Sequence, residues 1–179
     1  MSSQLSSAAQ FEELAMPLFD SLYNFAHWLT RNREEAEDLV QETYAKALKG
    51  FSTFQPGTNF RAWMFRILKN SFLTTRVGLA RYKMISLSDD EQDLELPAAT
   101  ETPETELLAL RDRQAVRQAI EELPIHFQEV LLLCDVEEMS YQEIAEAISV
   151  PIGTVMSRLW RARRAVKQTL LNRTQKAKA

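Results

Sequence analysis

Four side chains near the C-terminus fall on one stripe of a helical pattern and carry chemistry suited to DNA. From Ile152 to Leu171, at about 100° per residue, Ser157, Trp160, Arg161 and Arg164 share one face, with Met156 and Lys167 at its edge. Arginine pairs bidentately with guanine, serine reaches bases or phosphate, and apolar edges meet thymine methyls in a major groove. Arg158 and Arg163 flank the stripe, where phosphates would be met; such contacts position a reader without specifying sequence. The bland alternative is an amphipathic helix with a solvated basic side.

A second constellation lies in the first half. Phe60 to Val77 has helical periodicity, with Phe60, Met64, Ile67, Leu68 and Ser71 on the side expected to be buried. Arg66, Lys69, Asn70 and Leu73 are expected to face outward, with Trp63 at the boundary beside Arg66 and Asn70. An aromatic ring beside cations and an amide is what a single-stranded base needs for stacking, charge neutralisation and edge hydrogen bonds. The competing expectation puts at least one of Trp63, Phe65 and Phe72 in the core.

The elements that position these groups are all helical. Ser140 with Glu143 three residues on is a capping box that opens a helix with Ile144, Ala145 and Ile148 on its apolar stripe. Pro151 disfavours α geometry at Val150 yet suits the start of a new helix, and the short stiff break makes a helix-turn-helix. The new helix turns Val155, Leu159, Ala162, Val166 and Leu170 toward its partner.

Upstream, Phe11 to Leu29 is helical in spacing, with Pro17 expected to kink or split it. Asn32 should cap the next helix, whose Glu34, Glu35, Glu37 and Asp38 suit a positive helix end. That helix has an acidic face with Asp38, Gln41 and Glu42; simple solvation and docking of a basic partner both fit it. Phe51 to Asn59 is a turn-rich loop around Pro56-Gly57. Met84 to Thr102 is acidic, lacks any basic residue and has no sustained period, as a flexible linker would. Thr102-Pro103 should then open a helix running to Leu123, and a very apolar helix follows from Phe127 to Val136. The expected fold is therefore all-α: two small helical domains, residues 8–83 and 104–173, joined by a flexible acidic linker over 84–103.

Charge distribution matters more than its sum. The 179-residue chain has a formal net charge of −4, which alone argues against nucleic acid. Yet there are eight bases and no acid between Thr43 and Ser88, and again from Ala147 to the end. Two basic blocks separated by acidic segments imply two nucleic-acid contacts on one chain. The sequence has no phosphate loop, paired metal-ligand spacing or nucleophile motif, so no catalytic residues, metal or cofactor are expected. His27 is expected to be structural, and His126 to have a surface or capping role. Lone Cys134 among leucines is expected in the core of a cytosolic protein. No apolar run would insert in a membrane.

Three segments, in order, carry a family resemblance: Ala36-Glu37-Asp38-Leu39-Val40-Gln41-Glu42-Thr43-Tyr44, then Asn59-Phe60-Arg61-Ala62-Trp63-Met64-Phe65-Arg66-Ile67-Leu68-Lys69-Asn70, then Gly153-Thr154-Val155-Met156-Ser157-Arg158-Leu159. Together they resemble the extracytoplasmic-function (ECF) sigma factors of bacterial RNA polymerase. The resemblance implies that Asp38, Gln41 and Glu42 dock on the clamp helices of core polymerase. It implies that Phe54, Asn59, Trp63, Arg66, Lys69 and Asn70 melt and read the −10 element. Thr154, Met156, Ser157, Arg158, Trp160, Arg161 and Arg164 would read the −35 element, with the second domain also meeting the polymerase flap, and the linker would run through the polymerase. Met156 stands where some relatives have a polar or basic residue, so a −35 sequence does not carry over. Pro151 to Arg158 looks closest to members held by zinc-containing, thiol-sensing anti-sigma factors, and no further C-terminal regulatory domain is expected. A free-standing regulator using only the helix-turn-helix is the alternative, but it leaves the first basic block without a role.

Overall fold

In the computed structural model the described residues are 2–77 and 113–178, and all their regular structure is helical. The expected linker, its Thr102-Pro103 cap and the start of the second domain lie outside the described residues.

Helix α1 (Ser2–Ala15) gives way to a single tight turn at Met16–Leu18 with Pro17 at its start, and α2 (Phe19–Thr30) follows. Pro17 splits the pattern, since it brings no N–H to a continuous helix. Helix α3 (Arg33–Gly50) starts at Asn32, whose side chain accepts the Glu35 N–H at 3.1 Å. Asn59 does the same for α4 (Phe60–Phe72), accepting the Ala62 N–H at 2.9 Å. After Phe72 the backbone widens into a π-helical turn, Leu73–Val77.

The second half has α5 (Arg113–Glu121), α6 (Ile125–Leu131) running into a π-helical turn at Leu132–Val136, α7 (Tyr141–Ile148) and α8 (Ile152–Lys178). Both arms of the expected capping box form: Ser140 Oγ accepts the Glu143 N–H at 3.3 Å and a Glu143 carboxylate oxygen accepts the Ser140 N–H at 2.8 Å. Ser149 closes α7 in the left-handed region (φ 57°), and the Pro151 carbonyl accepts the Thr154 and Val155 N–H groups that open α8.

Helices α2, α3 and α4 share a core containing Leu22, Phe25, Leu39, Val40, Phe65 and Leu68. Phe25 and Phe65 meet edge-on with centroids 5.4 Å apart. In the second half, α6, α7 and α8 bury Leu132, Leu133, Ile144, Val155 and Leu159. The halves are not separate: α4 lies against α7, and buried apolar residues of both belong to one cluster.

Expectations about the exposure of Lys69, Leu73 and His126 fail. Lys69 on α4 and Leu73, a turn further on at the start of the π-helical turn, are buried because that stripe faces other protein rather than water. His126 is buried against the Phe127 ring, because α6 enters the core directly after Pro124. Phe65 and Phe72 are core residues, as the competing expectation held, whereas Trp63 is only half-buried.

Phe65→Ala should destabilise the protein by about 3–5 kcal/mol, the usual cost of emptying a buried aromatic site. Urea unfolding would measure it; a loss under about 1 kcal/mol would contradict this packing.

Candidate nucleic-acid interface

The loop before α4 brings the first group of side chains together. Gly57 takes φ 90°, a conformation that favours glycine, and Thr58 Oγ1 closes the turn by donating to the Gln55 carbonyl at 2.7 Å. This folds Phe54 back onto the helix, where its ring lies 5.2 Å from both Phe60 and Trp63. Trp63 is thus held at the edge of an aromatic cluster with part of its indole open. Arg66 and Asn70, one turn apart, are exposed beyond it. An indole held by other rings, beside an open guanidinium and an open amide, can stack a base and bond its edge.

The other two of that group, Asn59 and Lys69, face the second half of the chain, and so does Arg61. The Asn59 amide donates to the Glu143 carboxylate at 2.9 Å while its oxygen caps α4. Arg61 donates to the Glu137 carbonyl at 2.7 Å and to the Glu137 carboxylate at 3.1 Å. Lys69 Nζ donates to the Ile148 carbonyl at 2.9 Å and lies 3.7 Å from the fully buried Glu129 carboxylate. Burial chiefly, helped by the nearby Arg158 charge, pushes the Lys69 ammonium below its usual range; Glu129 opposes this. The Glu143 carboxyl is held below the ordinary carboxylate range, first by the Ser140 backbone N–H and then by the Asn59 amide.

On α8, Ser157, Trp160 and Arg161 are half-buried while Met156 and Arg164 are exposed, so the expected stripe has a continuous open edge. The Arg164 guanidinium lies 5.2 Å from the Trp160 ring centroid, a cation–π distance that pre-orders both. Thr154, half-buried in the first turn, accepts the Ser157 hydroxyl on its carbonyl at 3.1 Å. Two expected phosphate contacts sit elsewhere. Arg158 is only 2% exposed, turned into the junction near Lys69 rather than toward solvent. Arg163 pairs with Asp135 at 2.6 Å, and that bond raises the guanidinium pKa above its usual value.

The acidic face of α3 is a third surface. Asp38 and Gln41 are exposed, and Glu42 reaches Lys46 at 2.6 Å. Exposed Leu48 lies a turn or two along the same side. Cys134 is half-buried, and burial pushes its thiol up. Among the described residues no group of His, Cys, Asp or Glu could hold a metal ion, and no helix is long and apolar enough to cross a membrane.

Sequence reasoning missed Arg61, Glu129, Glu137 and Glu143 as partners in one junction. One signal was available: Glu129 is an acid inside the apolar run from Ile125 to Leu133, and an acid there requires a cation. Which cation could not be read from spacing, because Lys69 is sixty residues upstream.

Residues 14–81 match the family described as sigma-70 region 2, and residues 113–166 match sigma-70 region 4. The chain is 34% identical over 160 residues to the ECF RNA polymerase sigma factor SigE of Mycolicibacterium smegmatis, covering 89% of this chain and 61% of that protein's length. It is 33% identical over 159 residues to the ECF RNA polymerase sigma factor EcfG of Rhodopseudomonas palustris, covering 83% and 84%. Among solved structures, the sigma factor RpoE in complex with the anti-sigma factor NepR from Bartonella quintana is similar with a TM-score of 0.66 and 28% identity, covering 90% of this chain and 96% of that one.

Arg61→Ala should cost about 1–3 kcal/mol in urea unfolding, since it leaves the nearly buried Glu137 carboxylate without its donor. Arg66→Ala, at an exposed position, should change stability by less than about 0.5 kcal/mol. Equal effects at the two sites would mean that Arg61 does not hold the junction.

Proposed function

The chain belongs to the ECF sigma factors of bacterial RNA polymerase, non-enzymatic subunits that direct promoter-specific initiation, and on that premise we propose how its residues divide the work. Residues 8–83 dock on core polymerase and open the −10 element, residues 104–173 read the −35 element, and 84–103 tether them. One observation supports this division: each acid-free block overlaps a different matched region, and each has an aromatic ring beside an open arginine, Trp63 with Arg66 and Trp160 with Arg164.

In the first half, Asp38, Gln41 and Glu42 form an acidic docking face for the polymerase clamp helices. Trp63, seated on Phe54 and Phe60, stacks a base taken from the duplex while Asn70 bonds its edge and Arg66 neutralises phosphate. Asn59 and Lys69 complete that contact. Unstacking a base costs a few kcal/mol, which a preformed aromatic seat and the contacts of the assembled polymerase offset. In the second half, Arg161, Arg164 and Ser157 read base edges in the major groove, Met156 and Trp160 supply apolar contact, and Thr154 opens the helix toward the backbone. Arg158 joins them only after leaving its junction. The second half also meets the polymerase flap.

An anti-sigma factor is a further partner, as it is for the similar Bartonella quintana protein. The Pro151–Arg158 phrase favours a zinc-containing, thiol-sensing type; copurification with a partner lacking Cys and His metal ligands would count against it. The setting is the cytoplasm, where polymerase and promoter meet.

The direct test is run-off transcription with core polymerase on genomic templates, mapping RNA 5′ ends with and without this chain. Initiation at a defined promoter class only with the chain is expected, and none on any template would overturn the assignment. Arg161→Ala should weaken discrimination at one −35 position by about 1–3 kcal/mol, the value of a bidentate base contact; a uniform loss across sequences would make it a phosphate contact instead. Asn70→Ala should form holoenzyme normally but fail to open the promoter, and a normal permanganate footprint of the melted region would refute its role.

A further inference from the structure

Two neighbouring arginines on α8 are held in opposite ways. Arg164 lies over the Trp160 ring, on the stripe read as facing the groove. Arg163 belongs to the edge of that stripe, where helical spacing puts it beside Met156 and Lys167. All three edge residues are exposed. An arginine there is placed for a backbone phosphate, yet this one is already engaged. Its Nη2 donates to Asp135 Oδ1 at 2.6 Å and its Nε to Oδ2 at 3.4 Å, the two-bond fork that a phosphate would otherwise take. Nη2 also lies 3.6 Å from the Cys134 sulfur. The hydrogen bond to Asp135 raises the guanidinium pKa above its usual value.

The restraint comes from outside the helix. From Ala147 onward the chain has no acid, so no carboxylate within α8 can pair a cation. Asp135 reaches Arg163 from the π-helical turn that ends α6. Both side chains are 43% exposed, and an ion pair that open contributes little to folding. What the pair does change is which partner Arg163 can take.

We propose that Asp135 withholds Arg163 from the DNA backbone and so limits how tightly the −35 reader holds any duplex. The proposal rests on the reading of α8 as the −35 reader. Phosphate contacts supply essentially all of nonspecific binding, and they carry no sequence information of their own. Withholding one leaves the base contacts of Ser157, Arg161 and Arg164 as a larger share of what holds α8 to its site. It also shortens the stay on random duplex, which greatly outnumbers any promoter. Each phosphate left unneutralised makes the slope of log K against log[salt] shallower by about 0.9. Between about 1 M and about 0.1 M salt, that slope amounts to roughly eightfold in affinity.

The test uses holoenzyme assembled from core polymerase and the full chain. One labelled duplex carries a promoter mapped by run-off transcription, and a second is identical except for a scrambled −35 element. Binding is measured from about 50 to 200 mM KCl. Arg163→Ala should leave the parent's salt slope unchanged, because that guanidinium is not on phosphate. Asp135→Ala should steepen the slope by about 0.9 and tighten binding severalfold on both duplexes. Adding Arg163→Ala to Asp135→Ala should remove the steepening, which ties the gain to Arg163 rather than to the lost carboxylate. If Asp135→Ala loses helical circular dichroism, Arg163→Ala decides by itself, and an unchanged slope upholds the proposal. A slope shallower by about 0.9 in Arg163→Ala overturns it, since Arg163 then already meets phosphate. So does an unchanged slope in folded Asp135→Ala, the result expected if the pair only steadies α8 on α6. Discrimination between the duplexes keeps the two ideas apart. A parent that discriminates but fails the slope tests loses only the restraint, whereas a parent that binds both alike loses the reading of α8 itself.

Discussion

Helix α4 has to satisfy two neighbours with thirteen residues, and that constraint shapes the rest of the molecule. One side enters the core of the first half through Met64, Phe65, Leu68 and Phe72. Another carries Asn59, Arg61 and Lys69 into the second half, leaving Arg66 and Asn70 open. A helix with a single buried face can afford an arbitrary polar remainder; this one cannot. Lys69 is where the demands meet, because its stem lies among packed groups while its ammonium needs the Ile148 carbonyl and Glu129. Glu129 in turn can remain in an apolar helix only because a cation reaches it from the other half.

Most of the local structure was legible because it depends on neighbours in sequence. The caps at Asn32 and Ser140, the break at Pro17 and the stiff turn before α8 are each set by one or two residues and their backbone. The exposed part of the site was legible for the same reason: helical periodicity places Arg66 with Asn70 and Arg164 with Trp160. Failures cluster where a side chain answers to a distant partner. Lys69, Leu73, Arg158 and His126 look outward or neutral in periodicity, yet all are buried. A lysine one turn from an open arginine has no local mark telling whether water or another helix covers it. The aromatic seat of Trp63 was half legible, since Phe54 returns to it only through the Gly57 turn.

Charge patterning carries information that net charge hides. With a formal charge of −4 the whole chain would repel DNA weakly, but its acids and bases are segregated so that local fields dominate within a Debye length. The same segregation supplies the junction. The acid-free block that includes α4 meets the acid-rich stretch from Glu121 to Glu146, so two segments suited to different partners are also suited to each other. Their attraction runs through Asn59 with Glu143, Arg61 with Glu137 and Lys69 with Glu129, and of these acids only Glu143 also serves the α7 cap.

The two basic blocks differ in how their cations are held. Met156 and Arg164 on α8 stay exposed while Asn59, Arg61 and Lys69 on α4 are engaged. A duplex presents its phosphates and groove edges without rearrangement, so an open reader is harmless until it meets its site. A strand-separating surface is different: left open, it would take any single strand on offer, because stacking and phosphate contacts are tolerant of sequence. The contact between the halves combines carboxylates with a shared apolar cluster. The apolar part joins the halves as a core does, whereas hydrogen-bonded charges would regain water if exposed. Lys69 on Glu129 lies within that shared core, where each needs the other in order to be buried at all.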